Sequence, residues 1–176
     1  GLMMGFVLQL AFAAAVFAAQ AQSMTMGLGF AMAVDPQNGV QVPVVAQMFV
    51  ILITLLFLAM DGHLAIIAAV VESYNLVPIG VIGIPAVSLS KIVGLGALVF
   101  TWGILLALPI LTSLLFINIA LGVVTRAAPQ LNIFAVGFPV TIISGLLIMF
   151  IVMPVYIDVL TRLIEIMVDR SLQIFR

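Results

Sequence analysis

Residues 92–125, IVGLGALVFTWGILLALPILTSLLFINIALGVVT, are 34 consecutive residues without a charged side chain, bounded by Lys91 and Arg126. A helix needs about 20 apolar residues to cross the hydrocarbon core of a bilayer. The run is long enough for this and predicts a helix over 89–125, which Pro109 bends by removing one backbone hydrogen bond. This stretch indicates an all-α, membrane-associated fold.

The composition of the whole chain agrees with that fold class. Of the 176 residues, 66% are hydrophobic and only 6% are charged, whereas an ordinary soluble domain is about a quarter charged. A lone soluble domain and a disordered tail are therefore excluded. The net charge of −1 offers no basic face for phosphates, which excludes a nucleic-acid binder. The chain has no cysteine, so disulfides and thiolate metal sites are also excluded.

Further helices are predicted over 1–22, 44–75 and 133–156. The first carries small residues at helical spacing, which allow close helix packing either within the chain or against another subunit. These residues are Ala11, Ala14, Ala15, Ala18 and Ala19. In the helix over 133–156, Gly137, Pro139 and Pro154 are expected to cause bends. Residues 76–90 contain two prolines and two glycines and are predicted to form a loop.

The end of the chain is predicted to be an amphipathic helix that emerges from the apolar layer. Asp158, Arg162, Glu165 and Asp169 follow one another at steps of four, three and four residues, which places them on one helical face. Arg162 can pair with Asp158 and with Glu165 along the helix. We interpret this face as solvated.

Residues 23–43 break the helical pattern. Three glycines and the turn sequence 35–39, DPQNG, interrupt a stretch rich in methionine. Apolar residues alternate from Met24 to Val34, but a lone strand in hydrocarbon would leave backbone groups unsatisfied. Irregular backbone at this depth must be buried in protein or line a wet cavity. The segment is either a pore-occluding loop or an exposed connection between helices.

A polar notch at Asp61, Gly62 and His63 interrupts the predicted helix over 44–75, and Glu72 follows in the same segment. If the helix is continuous, Asp61 and Glu72 lie three turns apart on one face and could relay protons. Alternatively, a helix ends at the notch and Asp61 caps the next one. We favour the helix end.

No enzymatic chemistry is expected. There is one histidine, Lys91 follows no Walker-type glycine pattern, and no dinucleotide fingerprint is present. The sequence therefore predicts no catalytic residues, no metal and no cofactor.

The arginines give no consistent membrane orientation. Arg126 lies at one end of the last long helix, while Arg162, Arg170 and Arg176 lie at the other. Both ends cannot be cytoplasmic if the helix spans the membrane. This conflict favours a subunit whose apolar sides are covered by partners.

Three ordered groups of residues resemble the FliR/SctT family, the R-type subunits of type III export gates, over the whole chain. The first runs from Gly27-Leu28-Gly29-Phe30 to Val34-Asp35-Pro36. The second is Asp61-Gly62-His63 with Leu76-Val77-Pro78-Ile79-Gly80. The third and most specific group comprises Ala107-Leu108-Pro109, Asn118-Ile119-Ala120-Leu121-Gly122, 126–134 (RAAPQLNIF) and Gly137-Phe138-Pro139. The family usually has Asn where Asp61 stands, which argues against an obligatory charge. The sequence looks like the flagellar branch.

The resemblance implies a part in protein export during flagellum assembly. The subunit would lie in the bacterial inner membrane, in the flagellar basal body, with lipid around it. Its partners would be the P-type and Q-type subunits FliP and FliQ, FlhB at the cytoplasmic entrance, and the exported unfolded flagellar proteins. Residues 1–87 would resemble the P-type subunit and 88–176 the Q-type hairpin. The family's N-terminal third would be absent from this chain.

The resemblance also implies roles for particular residues. A plug loop over about 23–43 would close the pore, and the hairpin tip near 126–132 would face the cytoplasm. The predicted plug residues are Gly27, Leu28, Gly29, Phe30, Met32, Asp35, Pro36, Gly39 and Pro43. The predicted tip residues are Arg126, Pro129, Gln130, Leu131, Asn132, Phe134, Gly137 and Pro139. The polar notch comprises Asp61, His63 and Glu72.

Three hypotheses about function remain open from the sequence. The first is a non-enzymatic gate subunit that forms and plugs a protein-conducting channel. The second is a proton-coupled carrier that uses Asp61, Glu72 and Arg126. The third is an assembly scaffold that never contacts the exported chain.

Overall fold

The computed structural model describes residues 2–28, 44–76, 86–128 and 133–173, and these contain five helices and no strand. The helices are α1 (Leu2–Thr25), α2 (Val44–Ala59), α3 (Gly62–Leu76), α4 (Ala86–Ala127) and α5 (Ile133–Gln173). The all-α prediction is confirmed. Among the described residues, three helical stretches are each long and apolar enough to cross a membrane: Leu2–Thr25, Ser90–Ala127 and Val136–Ser171.

The packing centres on α1, which lies against α2, α4 and α5. Its five predicted small residues are all buried, none of them more than 2% exposed. The alanines therefore pack within the chain and not against another subunit. On the facing helix, a Cβ at Gly103 would meet the Phe17 ring and the Ala14 carbonyl, so glycine is needed for this close approach. The ring of Phe17 also meets Phe100 edge-on, at 5.5 Å between centroids.

Helix boundaries differ from the predicted ones at three places. The first helix continues to Thr25 instead of ending near residue 22. The fourth begins at Ala86 instead of Leu89, so residues 86–88 are helical although only a loop was predicted there. The last helix continues without interruption to Gln173, with Pro139 and Pro154 inside it. Each proline removes one hydrogen bond, but a long helix packed along an apolar face keeps its other stabilising contacts.

The segment 44–75 is not one helix. The axes of α2 and α3 differ by 66°, and Asp61 between them has a φ of 53°. The Asp61 carbonyl accepts hydrogen bonds from the N–H groups of Leu64 at 2.9 Å and Ala65 at 3.1 Å, which starts α3. The continuous-helix alternative was therefore wrong. The proposed proton relay between Asp61 and Glu72 required that continuous helix, so this argument for it is lost.

Candidate functional site

The first helix ends in a glycine cap at the start of the predicted plug loop. Gly27 has a φ of +84°, a left-handed conformation that favours glycine. Its N–H donates to the Met24 carbonyl at 3.1 Å, and the N–H of Leu28 donates to the Ser23 carbonyl at 3.1 Å. This pair of bonds is the Schellman arrangement, which satisfies carbonyls that the helix end would otherwise leave without donors. The turn at 26–28 is thus defined by its own hydrogen bonds.

The turn is seated on α5. Met26 is completely buried and packs over Gly145, where a Cβ would collide with the methionine side chain. A Cβ at Gly27 would lie 2.8 Å from the Phe138 ring. The Thr141 hydroxyl lies 3.2 Å from the Met26 carbonyl and 3.0 Å from the Phe138 carbonyl, within donating distance of both. These contacts fix the point from which the predicted loop leaves α1.

One turn before the cap, a polar group lies inside the apolar core. The Gln22 amide Nε2 donates to the Leu106 carbonyl at 3.0 Å and to the Tyr156 hydroxyl at 3.1 Å. Gln22 is fully buried and Tyr156 is 1% exposed. The tyrosine ring meets Phe49 edge-on at 5.2 Å between centroids. Residues of α1, α2, α4 and α5 therefore meet at this point.

Only part of the predicted plug falls within the described residues. Gly27 and Leu28 form the end of the capping turn described above. The others lie outside the described residues: Gly29, Phe30, Met32, Asp35, Pro36, Gly39 and Pro43. Of the wider span 23–43, residues 23–25 are the last residues of α1.

The predicted hairpin tip is described on both flanks. Arg126 is exposed in the last turn of α4, where a cation interacts favourably with the helix dipole. Phe134, Gly137 and Pro139 lie in the first turns of α5. Pro129, Gln130, Leu131 and Asn132 lie outside the described residues. Because Phe138 contacts Gly27, the structure brings one flank of the predicted tip next to the start of the predicted plug loop. The sequence predicts these two places separately.

The residues of the polar notch are not assembled into a buried site. Asp61, His63 and Glu72 are all exposed, and the bend after α2 separates the first of them from the helix before it. Within the described parts of the chain, no group of three or more His, Asp or Glu residues could hold a metal ion. The notch is therefore a helix boundary by its geometry.

Gln22, Thr141 and Tyr156 were not among the predicted site residues. Their only signal in the sequence is a hydrogen-bonding side chain within a run of apolar residues. Such a group needs a partner when it is buried, but spacing along one helix cannot identify a partner more than 100 residues away. Gln22 and Tyr156 are in fact 134 residues apart.

The charges of α5 divide it into two parts. From 133 to 157 it has no charged residue, and from Asp158 onward it carries five charges within the described residues. Asp158 and Arg162 form an exposed ion pair at 3.1 Å, as predicted. The predicted pair between Arg162 and Glu165 does not form in the described part of the chain. An uncharged length of about 37 Å at 1.5 Å per residue is close to the thickness of one bilayer core.

The three long apolar helices and the uncharged stretch 133–157 of α5 define an all-α membrane protein. The profile of the family described as "Bacterial export proteins, family 1" matches residues 1–167. The chain therefore belongs to this family, and the resemblance drawn from the motifs is confirmed.

Individual relatives agree with the family assignment. The chain is 41% identical to the flagellar biosynthetic protein FliR of Escherichia coli strain K12 over 154 residues, which cover 88% of this chain and 59% of that protein. It is 43% identical to FliR of Pectobacterium carotovorum subsp. carotovorum over the same shares of the two chains. FliR of Aquifex aeolicus strain VF5 is 30% identical over 88% of this chain and 59% of its own length. The chain thus spans about three fifths of the length of these curated relatives.

Proposed function

We propose that the chain is a non-enzymatic core subunit of the flagellar protein export gate and that the loop after Gly27 plugs its channel. The observation that carries this proposal is the seat of the capping turn on α5. A plug must leave the wall of a channel at a fixed point, and Met26, Gly27 and Thr141 provide that point. The family membership supports the role in export.

The proposal includes partner subunits because the apolar helices are longer than a bilayer is thick. The stretch Ser90–Ala127 has 38 residues, about 57 Å of helix at 1.5 Å per residue, against about 30 Å of hydrocarbon. Tilt alone would have to approach 60° to bury it, beyond the range of about 0–40° seen for spanning helices. Part of α4 therefore lies outside the hydrocarbon.

The Gln22 hydrogen bonds indicate which end of α4 projects from the hydrocarbon, because they show which residues of α4 and α5 lie at the same height. Since Gln22 reaches both Leu106 and Tyr156, the residues before 106 in α4 lie level with the charged residues after 156 in the antiparallel α5. At this level Val93 is 78% exposed and Phe100 is 60% exposed. Lipid would not accommodate the charged helix, and water would not favour the apolar one. Protein neighbours satisfy both, which supports FliP, FliQ and FlhB as partners and an unfolded flagellar protein as the transported chain.

The plug is tested by replacing residues 29–43 with a glycine–serine linker of equal length in the full-length subunit. Gly27 and Leu28 are kept, since they belong to the capping turn of α1. We expect ion leakage through the gate to rise while the amounts of FliP and FliQ that purify with the subunit stay unchanged. Leakage at the wild-type level in a normally assembled gate would contradict the plug.

A crosslinking experiment separates the gate from an assembly scaffold. A photoreactive residue at Phe30 or Met32 should crosslink to an export substrate stalled in the channel. The matched control places the same group at Leu64, which is 55% exposed on α3 and outside the proposed plug. Absence of crosslinks at every loop position would favour the scaffold.

A further inference from the structure

We infer that Gln22 and Tyr156 form a polar latch that holds the last turn of α1 against α4 and α5 and so positions the capping turn at Gly27. For its consequence in the gate, this inference rests on the proposed function. Gln22 and Tyr156 are positioning residues, because they act on the loop through the turn that precedes it.

The first argument is the geometry of the hydrogen bonds. Both protons of the Gln22 amide are directed to other helices, one to the Leu106 carbonyl and one to the Tyr156 hydroxyl. Two bonds from one planar group constrain both the rotation and the axial position of α1 at this level. The acceptor on α4, the Leu106 carbonyl, lies one turn before Pro109 and next to the Leu105 carbonyl, whose intrahelical donor the proline removes.

The second argument is the free-energy cost of burying the Gln22 side-chain amide. Its other atom, Oε1, is buried and accepts no hydrogen bond from the described residues. A leucine of similar size would avoid this cost in a core that is otherwise apolar. A buried polar atom without a hydrogen-bond partner is expected where the position of a helix matters more than its stability.

The third argument is the distance along the chain from the latch to the turn. Gln22 lies five residues before Gly27, and its own carbonyl accepts the Met26 N–H at 2.9 Å. Rotation of α1 at Gln22 would therefore move the Met26 side chain off Gly145 and the Met26 carbonyl off Thr141. The latch and the seat on α5 are thus parts of one arrangement.

The test uses the full-length subunit assembled with its partner subunits. The latch variants are Gln22→Leu and Tyr156→Phe, singly and together. The matched control is Leu160→Ala, which removes buried packing one turn along the same helix from Tyr156 without touching a hydrogen bond; Leu160 is fully buried. The 176 residues contain no cysteine. Once any cysteine in the rest of the full-length subunit and in its partners is replaced by serine, spin labels can be attached through Met24→Cys and Val136→Cys.

Two readouts are compared. We expect the latch variants to broaden the distribution of distances between the two labels and to raise ion leakage about fivefold, the change that corresponds to losing one ordinary buried hydrogen bond. The two single variants should have overlapping effects, so the double variant adds little to either. The control should lower the melting temperature without broadening the distribution.

The outcomes separate the latch from the plug. An unchanged distance distribution in both latch variants, or equal broadening in the control, would overturn the latch. If the distribution broadens and leakage stays low, while linker replacement of 29–43 does leak, the latch does not act on the plug and the inference is wrong in that respect. If the linker replacement itself does not leak, the plug fails, and the distance distribution alone still decides whether the latch exists.

Discussion

The Phe138 ring occupies the space into which any side chain at Gly27 would project, because a Cβ there would lie 2.8 Å from two ring carbons. Gly27 is also left-handed, with a φ of +84°. The two constraints have different origins, since one is steric crowding across helices and the other is local backbone geometry. Both act on the same residue at the end of α1.

We therefore expect Gly27→Ala to destabilise the chain by about 2 kcal/mol or more, since the left-handed conformation alone costs an alanine about 1–2 kcal/mol. Melting of the purified chain in detergent measures this. Gly94→Ala and Gly122→Ala are matched controls, because both lie in a helix with open space at the Cβ position. These should be neutral or slightly stabilising. Equal effects of all three substitutions would contradict the proposed constraint.

The second prediction concerns the hydroxyl that holds the Met26 carbonyl. Thr141→Val keeps the shape of the side chain and removes the donor, so it should cost about 1 kcal/mol. Thr112→Val is the control, since Thr112 is exposed and bonds only carbonyls of its own helix. That variant should change stability by less than about 0.5 kcal/mol. Similar losses would show that the bond between α5 and the turn has no special role.

The third prediction concerns the backbone of Asp61. Its φ of 53° is a conformation that Asp and Asn adopt more readily than other non-glycine residues, in line with the Asn that the resemblance leads us to expect here. Asp61→Asn should therefore leave stability and flagellar export nearly unchanged. Asp61→Val should destabilise the chain by about 1–2 kcal/mol, because a β-branched residue is strained in this conformation. Motility and thermal melting measure the two effects.

The same variant tests the carrier hypothesis. If Asp61 carried protons, Asp61→Asn would abolish transport while leaving the fold intact. Retained transport in Asp61→Asn together with a loss of stability in Asp61→Val would assign the residue to backbone geometry.

The fourth prediction tests which part of α4 faces partners. Phe100 and Phe116 are both exposed in the isolated chain, at 60% and 72%, and they lie on opposite sides of the Leu106 level. Phe100→Lys should reduce the recovery of FliP and FliQ with the subunit and leave membrane insertion intact. Phe116→Lys should impair insertion, since a lysine near the centre of a membrane-spanning helix costs about 2.5–3.5 kcal/mol. The reverse pattern would contradict the proposed depth of the chain.

The sequence was sufficient to predict the helices and the break at Asp61, because apolar run length, proline, glycine and charge all act locally. It was insufficient for the contacts that hold the capping turn at 26–28 against α5. The bond between Gln22 and Tyr156 joins residues 134 positions apart, and nothing in the spacing of either helix specifies that pairing. The extension of α1 to Thr25 follows from the cap at Gly27. That glycine is visible in the sequence, but the sequence alone does not distinguish a helix cap from a glycine within a loop.

The proposed projection of α4 beyond the bilayer has a consequence for the amount of the subunit in the cell. A newly inserted chain without partners would expose Val93 and Phe100 to an aqueous compartment, the kind of surface that proteases and aggregation act on. Its abundance would therefore follow that of its partners, and an excess copy would be degraded. The apolar surface that binds the partners would thus also limit the number of copies of the subunit to the number that the partners can bind.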